Sequence, residues 1–258
     1  MQQLSQEKIK QIIETYNKCK SLRKVCKQLK ISIGSAHKYT TKHNIIHKNN
    51  IITKLHSSNK RLIGLYIGLW MGDGTQYYDH GYTIKICSNK KNVLLNKFIQ
   101  DIIFRLFNKH TRLVNETKSN RANVIYESKF IFSFVYSYAT IDEGKKTYTV
   151  RLKEDVKSYS TDFLEGCLLG LILTDGYLKR ILSFSSASYN LAKNFEEILE
   201  KFGFHPYTYV DKRENYKLGC VHVVKLSPKE SKNIILLLDT ILQKIGCADT
   251  FQELKYEK

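Results

Sequence analysis

Two aspartates are the residues most able to do chemistry in this sequence. Asp73 and Asp175 each close an apolar, glycine-bearing run, Leu62–Gly74 (LIGLYIGLWMGDG) and Phe163–Gly176 (FLEGCLLGLILTDG). Aligned on their ends, Gly68 coincides with Gly170 and Asp73 with Asp175. Each run has the length of a helix. An interior glycine costs a helix ~0.5–1 kcal/mol relative to alanine. Gly64, Gly68, Gly166 and Gly170 therefore predict a compensating contact, in which the two helix backbones approach closely. Asp73 and Asp175 then lie side by side at two helix C-termini, with Gly74 and Gly176 as the cap residues that turn the chain away. Two carboxylates there repel each other and face the negative end of the helix dipole. A divalent cation removes that conflict. Hard oxygen ligands with open positions suit Mg²⁺ bridging to phosphate. That is the arrangement for metal-assisted phosphodiester hydrolysis.

The elements that must position these residues also repeat. After Asp73 come strand-like Tyr82–Ser88, a helix near Asn92–Phe107, strands near Thr111–Asn115 and Asn123–Glu127, and a helix near Ser128–Tyr138. After Asp175 come strand-like Ile181–Ser186, a helix near Asn190–Phe202, and strands near Tyr207–Asp211 and Val221–Leu226. A helix near Pro228–Ile245 follows, with Pro228 at a favourable first turn. Each half reads αββαββα. A period of roughly 100 residues marks a duplicated domain rather than a solenoid. The expected class is α+β, with repeats over residues 61–150 and 151–258.

The 258 residues carry 42 Lys+Arg against 24 Asp+Glu, a net +18. That excess favours polyanionic partners, nucleic acid first. Residues 1–50 hold eleven of the cations and two of the anions. This predicts a small basic module over residues 1–45 and a polar linker over 46–60. Three helices are expected in the module, near Gln6–Lys18, after the N-cap Ser21 and after the N-cap Ser32. Leu22, Val25, Cys26, Leu29, Ile31, Ala36 and Tyr39 resemble the buried positions of a helix-turn-helix, with Lys30 where the turn prefers glycine. The resemblance puts the third helix in a DNA major groove, presenting Ser35, His37, Lys38, Thr41 and Lys42.

Other classes are disfavoured. The longest uncharged stretches fall short of the ~20 residues of a membrane span. The N-terminus has no apolar signal region, which points to an intracellular protein. The six cysteines are scattered without a Cys-x-x-Cys pair, against a zinc site or a disulfide framework.

The nine-residue registers Tyr66–Gly74 and Leu168–Gly176 resemble the motif of the LAGLIDADG homing endonucleases, present here twice. The resemblance spans roughly Leu62–Ile245. It implies a monomer with pseudo-twofold symmetry, two four-stranded sheets forming a saddle over double-stranded DNA, and motif helices at the interface. It implies Mg²⁺ held by Asp73 and Asp175, with Gly72 and Thr174 beside them. Met71 and Leu173 occupy a motif position that is often acidic, and here they belong to helix packing. The resemblance also places a polar or basic strand residue near the attacking water, Lys85 in the first half and Ser185 in the second. A lysine after the last helix of each half would be Lys145 or Lys146, and Lys244. Three functions fit: a site-specific double-strand DNA endonuclease, a DNA-binding transcription regulator that has lost cleavage, and an intron RNA maturase.

Overall fold

The structure, a computed structural model, describes residues 5–19, 21–42, 59–78, 81–212 and 220–247. The chain divides into two compact units, Met1–Lys54 and Leu55–Lys258. Most of the expected linker, residues 46–58, lies outside the described residues.

The first unit contains α1 (Gln6–Cys19), α2 (Leu22–Leu29) and α3 (Ile33–Lys42). Ser21 caps α2, its side chain accepting from the Lys24 amide. Ile12, Val25, Ala36 and Tyr39 form the buried centre, with Leu22, Cys26, Leu29 and Ile31 packed against it. Lys30 ends α2 in the left-handed region, at φ 49° and ψ 47°. A side chain with a Cβ accepts that conformation at a cost of roughly 1–2 kcal/mol, so the packing of α2 on α3 must exceed it.

The second unit begins with α4 (Lys60–Asp73), β1 (Gly74–Tyr78), β2 (Tyr82–Asn89), α5 (Val93–Phe107), β3 (Arg112–Asn115), β4 (Arg121–Glu127) and α6 (Lys129–Val135). It continues through β5 (Ala139–Ile141), α7 (Lys146–Thr149) and β6 (Val150–Leu152). The second repeat is α8 (Thr161–Asp175), β7 (Gly176–Leu178), β8 (Leu182–Ser186), α9 (Tyr189–Lys201), β9 (Tyr207–Asp211), β10 (Val221–Lys225) and α10 (Pro228–Lys244). Two antiparallel four-stranded sheets have matching orders, β1-β2-β4-β3 and β7-β8-β10-β9. The class is α+β.

Helices α4 and α8 are apolar on every side, which demands burial all round. Leu62 to Met71 are buried without a break, and so are Phe163 to Leu173. Each sheet lays one face on this pair through Ile84, Ile86, Val124 and Tyr126 and through Leu182, Phe184 and Val224. All join a single core.

The glycines explain the pairing of α4 with α8. A Cβ on Gly64 would strike the Phe163 carbonyl and lie 3.0 Å from Cys167 N. A Cβ on Gly166 would strike the Arg61 carbonyl and lie 2.6 Å from Leu65 N. Gly68 and Gly170 face each other's backbones in the same way. The contacts are reciprocal, as in an isologous dimer interface built within one chain.

Two sequence expectations need correction. Gly74 and Gly176 do not turn the chain in a left-handed cap. Their φ values are −80° and −84°, and each enters a strand directly. Glycine is needed because a Cβ would lie 2.6 Å from Trp70 Cδ1, or 2.7 Å from Ile172 Cα. The helix expected to reach Tyr138 ends at Val135. A hairpin of β5 with β6 follows, carrying α7 between its strands.

Candidate active site

Asp73 and Asp175 end α4 and α8 and line one cleft of about 570 Å³. Their proximity follows from the missing side chain at Gly72. A Cβ there would lie 2.6 Å from Thr174 Cβ and 3.1 Å from Asp175 Oδ2. Thr174 therefore fits only against glycine, and Asp175 reaches the backbone beside Asp73. The Thr174 hydroxyl donates back to its own helix, to the Gly170 and Leu171 carbonyls, each at 3.1 Å.

The electrostatic conflict expected from two carboxylates at helix C-termini is met in part by Lys146. The hairpin that follows α6 swings α7 onto the end of α4. Lys146 Nζ donates to the Met71 carbonyl at 2.7 Å and to the Gly72 carbonyl at 3.2 Å. It also stands 5.0 Å from the Trp70 ring centroid. Burial lowers its pKa to about 8, against the opposing pull of Asp175 and Asp73. The lysine is thus a cation at the terminal carbonyls of α4, the position the helix dipole favours.

Lys244 does not share that place. Its Nζ donates to Glu165 Oε1 at 2.9 Å. Glu165 is also bound by Arg61, which pairs with Asp162. Glu165 lies in the N-terminal part of α8, about 15 Å along the helix from Asp175. A buried carboxylate there captures both cations, so Lys244 is part of an ion-pair cluster away from the aspartates.

The strand residues also shift. β1 pairs Gly74 with Ile86, and β7 pairs Gly176 with Phe184. Ladder equivalence therefore matches Lys85 with Ser183, and Cys87 with Ser185. Cys87 and Ser185 line the cleft with the two aspartates, whereas Lys85 stands 4.9 Å from the Tyr77 ring on the open face of the first sheet. Because β1 has five residues and β7 three, the matching ladder positions lie at different distances from the aspartates: Cys87 is 87 − 73 = 14 residues past Asp73 and Ser185 is 185 − 175 = 10 past Asp175.

Arg121 carries no sequence signal that set it apart from other strand-end arginines, yet it lines the cleft. Cys87 Sγ donates to Asn123 Oδ1 at 2.9 Å, and Asn123 Nδ2 donates to Glu116 Oε1 at 3.0 Å. Ser119 Oγ donates to Glu116 Oε2 at 2.7 Å. These bonds hold the Glu116 carboxyl below its usual range, while burial and then Asp73 push the Cys87 thiol up.

The donor set suits a divalent cation. Its carboxylates are hard oxygen ligands, and Gln76 in the cleft wall adds an amide oxygen, Oε1, that is buried without a hydrogen-bond partner. Among the described residues no group of three or more His, Cys, Asp or Glu encloses a metal. The Gly72 carbonyl is already bonded to Lys146.

In the N-terminal unit, Ser35 lies in the first turn of α3 and its hydroxyl sits 2.9 Å from that of Ser32. The side chains of His37, Lys38, Thr41 and Lys42 lie outside the described set.

Residues 162–235 match the LAGLIDADG-like domain family. No curated protein matches the sequence. The fold resembles the crystal structure of I-DmoI in complex with DNA and Mn, with a TM-score of 0.54 and 18% identity, over 70% of this chain and 97% of that one. A single-substitution variant of I-DmoI, in complex with its target DNA in the presence of Mg, gives 0.53 and 16%, over 70% and 98%. Full-length DUF199/WhiA from Thermatoga maritima gives 0.50 and 12%, over 76% and 61%. At these identities the likeness establishes the LAGLIDADG fold. The matched segment contains Leu168–Gly176, and Tyr66–Gly74 precedes it. No helix among the described residues is long and apolar enough to cross a membrane.

Proposed function

We propose that this chain is a monomeric, site-specific double-strand DNA endonuclease dependent on a divalent cation, Mg²⁺ in the cell. The observation that carries the reading is the joining of Asp73 and Asp175 in one cleft, at the ends of two helices held together by reciprocal glycine contacts. The I-DmoI structures, which contain DNA and divalent metals, support the same partner and cofactor class.

Asp73 and Asp175 hold the cation. When bound, it supplies Lewis-acid stabilisation of the phosphate and lowers the pKa of water. Lys146 keeps a positive charge beside both carboxylates and faces the negative charge that develops on the phosphate. The open faces of the two sheets offer side chains to base edges, Thr75, Lys85 and Ile125 on one and Tyr177, Ser183 and Lys225 on the other. The basic N-terminal unit is read as a helix-turn-helix that adds affinity and lengthens the site.

The test is cleavage of a randomised duplex library with Mg²⁺, comparing the wild type with Asp73→Asn and Asp175→Asn. Site-specific double-strand breaks that vanish in both variants, with DNA binding retained, are expected. Tight duplex binding without cleavage by the wild type would make the protein a regulator. Binding to intron RNA in preference to duplex would make it a maturase.

A further inference from the structure

Among the described residues the cleft is chemically one-sided: its lining contains two cations, Arg121 and Lys146, and both belong to the first repeat. Beside Asp73, the open face of the first sheet continues as Cys87, Asn123 and Arg121. The ladder fixes their order, with Cys87 opposite Asn123 and Asn89 opposite Arg121. The hydrogen-bonded chain from Cys87 through Asn123 to Glu116 anchors this corner. A second recess of about 440 Å³ joins it, lined by Asp73, Arg121, Ser119, Asn120 and Thr174.

The second repeat lacks that equipment among the described residues. Ser185 stands where Cys87 stands, and its ladder partner is Val223. Val221 then holds the place of Arg121. Lys244, which the duplication would put in the place of Lys146, is bound to Glu165.

We propose that Arg121 contacts the phosphate seated against the first repeat, and that the protein cuts this strand first and passes through a nicked duplex. The proposal rests on the endonuclease reading. Each step is hydrolysis. The oxygen of water forms a bond to phosphorus, one ester P–O bond breaks, and the leaving oxygen takes a proton that water gives up. An arginine can make two charge-assisted bonds to a phosphate at once. Pre-set cations near developing charge lower the barrier on their own side more than on the other. Valine at the matching place offers neither charge nor donor.

The experiment uses the full-length protein, Mg²⁺ and a duplex target recovered from the library, with each strand labelled separately, alongside a supercoiled plasmid carrying the target. One strand is expected to be cut at least about tenfold faster, with nicked circles building up before linear DNA. Arg121→Ala should slow the fast strand toward the slow one and leave the slow strand nearly unchanged. Val221→Arg should speed the slow strand and shorten the life of the nicked circle. A loss of folding would slow both strands alike, so the ratio separates the two cases. Equal strand rates in the wild type, or a ratio that neither variant moves, would overturn the inference. Absence of cleavage on either strand would overturn the endonuclease reading itself, and this inference with it.

Discussion

Lys146 is the residue whose two roles conflict. Burial takes its ammonium out of water, and two carboxylates and two carbonyls only partly offset the cost. Its pKa in the folded chain is about 8, below the 10.5 of a free lysine. Between those values the unfolded chain holds the proton more often than the folded one. Stability must therefore rise with pH across that window, and the full penalty is present below pH 8. The linkage is on the order of 3 kcal/mol. In chelator-treated protein, the urea midpoint of the second unit is expected to rise from pH 8 to pH 10. Lys146→Met should flatten that rise and also slow DNA cleavage. An unchanged rise in the variant would show that another group is responsible.

At the scale of elements, the pair α4 and α8 is held by absence of side chains. Apolar surface drives burial of both helices. Gly64 and Gly166 decide how close they come, because a Cβ on either would meet a carbonyl of the facing backbone. Backbone cannot step aside as a flexible side chain can. Gly64→Ala and Gly166→Ala should each cost roughly 3 kcal/mol or more, at or beyond the upper end for overpacked cores. A Cβ on Gly203 meets nothing within 4 Å and is strained only by the φ of +80°, so Gly203→Ala should cost about 1–2 kcal/mol. Thermal unfolding of the three variants checks the order. A Gly64→Ala protein as stable as the wild type would rule out the close-approach argument.

At the scale of the whole molecule, net charge favours a polyanionic partner. The first 50 residues hold eleven Lys+Arg against two Asp+Glu. Each phosphate neutralised by a cation adds to the salt dependence of binding. Removing residues 1–54 should weaken DNA binding and flatten the slope of log affinity against log salt, while leaving cleavage at low salt. Titration of both proteins at several salt concentrations measures this. Equal slopes would place the basic unit off the DNA.

The elements and the aspartate pair were legible in the sequence because they depend on local chemistry. Apolar runs, the cap Ser21, the first-turn Pro228 and the repeated Asp-Gly ends are each written within a few residues, and each helix and strand that was expected in the second unit is observed within a few residues of its place. The strands β1 and β7, which follow the Asp-Gly ends directly, and the β5–β6 hairpin with α7 had no expected range. The glycine contacts were also legible, since several glycines in one apolar helix imply a neighbour. What required the tertiary structure was everything set by the paths between those landmarks. The five-residue β1 against the three-residue β7 moved the cleft position from Lys85 to Cys87. A hairpin that propensity did not mark delivered Lys146 to the end of α4. Glu165, packed inside α8, took Lys244 away. Strand register and ion pairing are long-range choices, decided by which groups meet after the core closes. A spacing counted along the chain cannot register them.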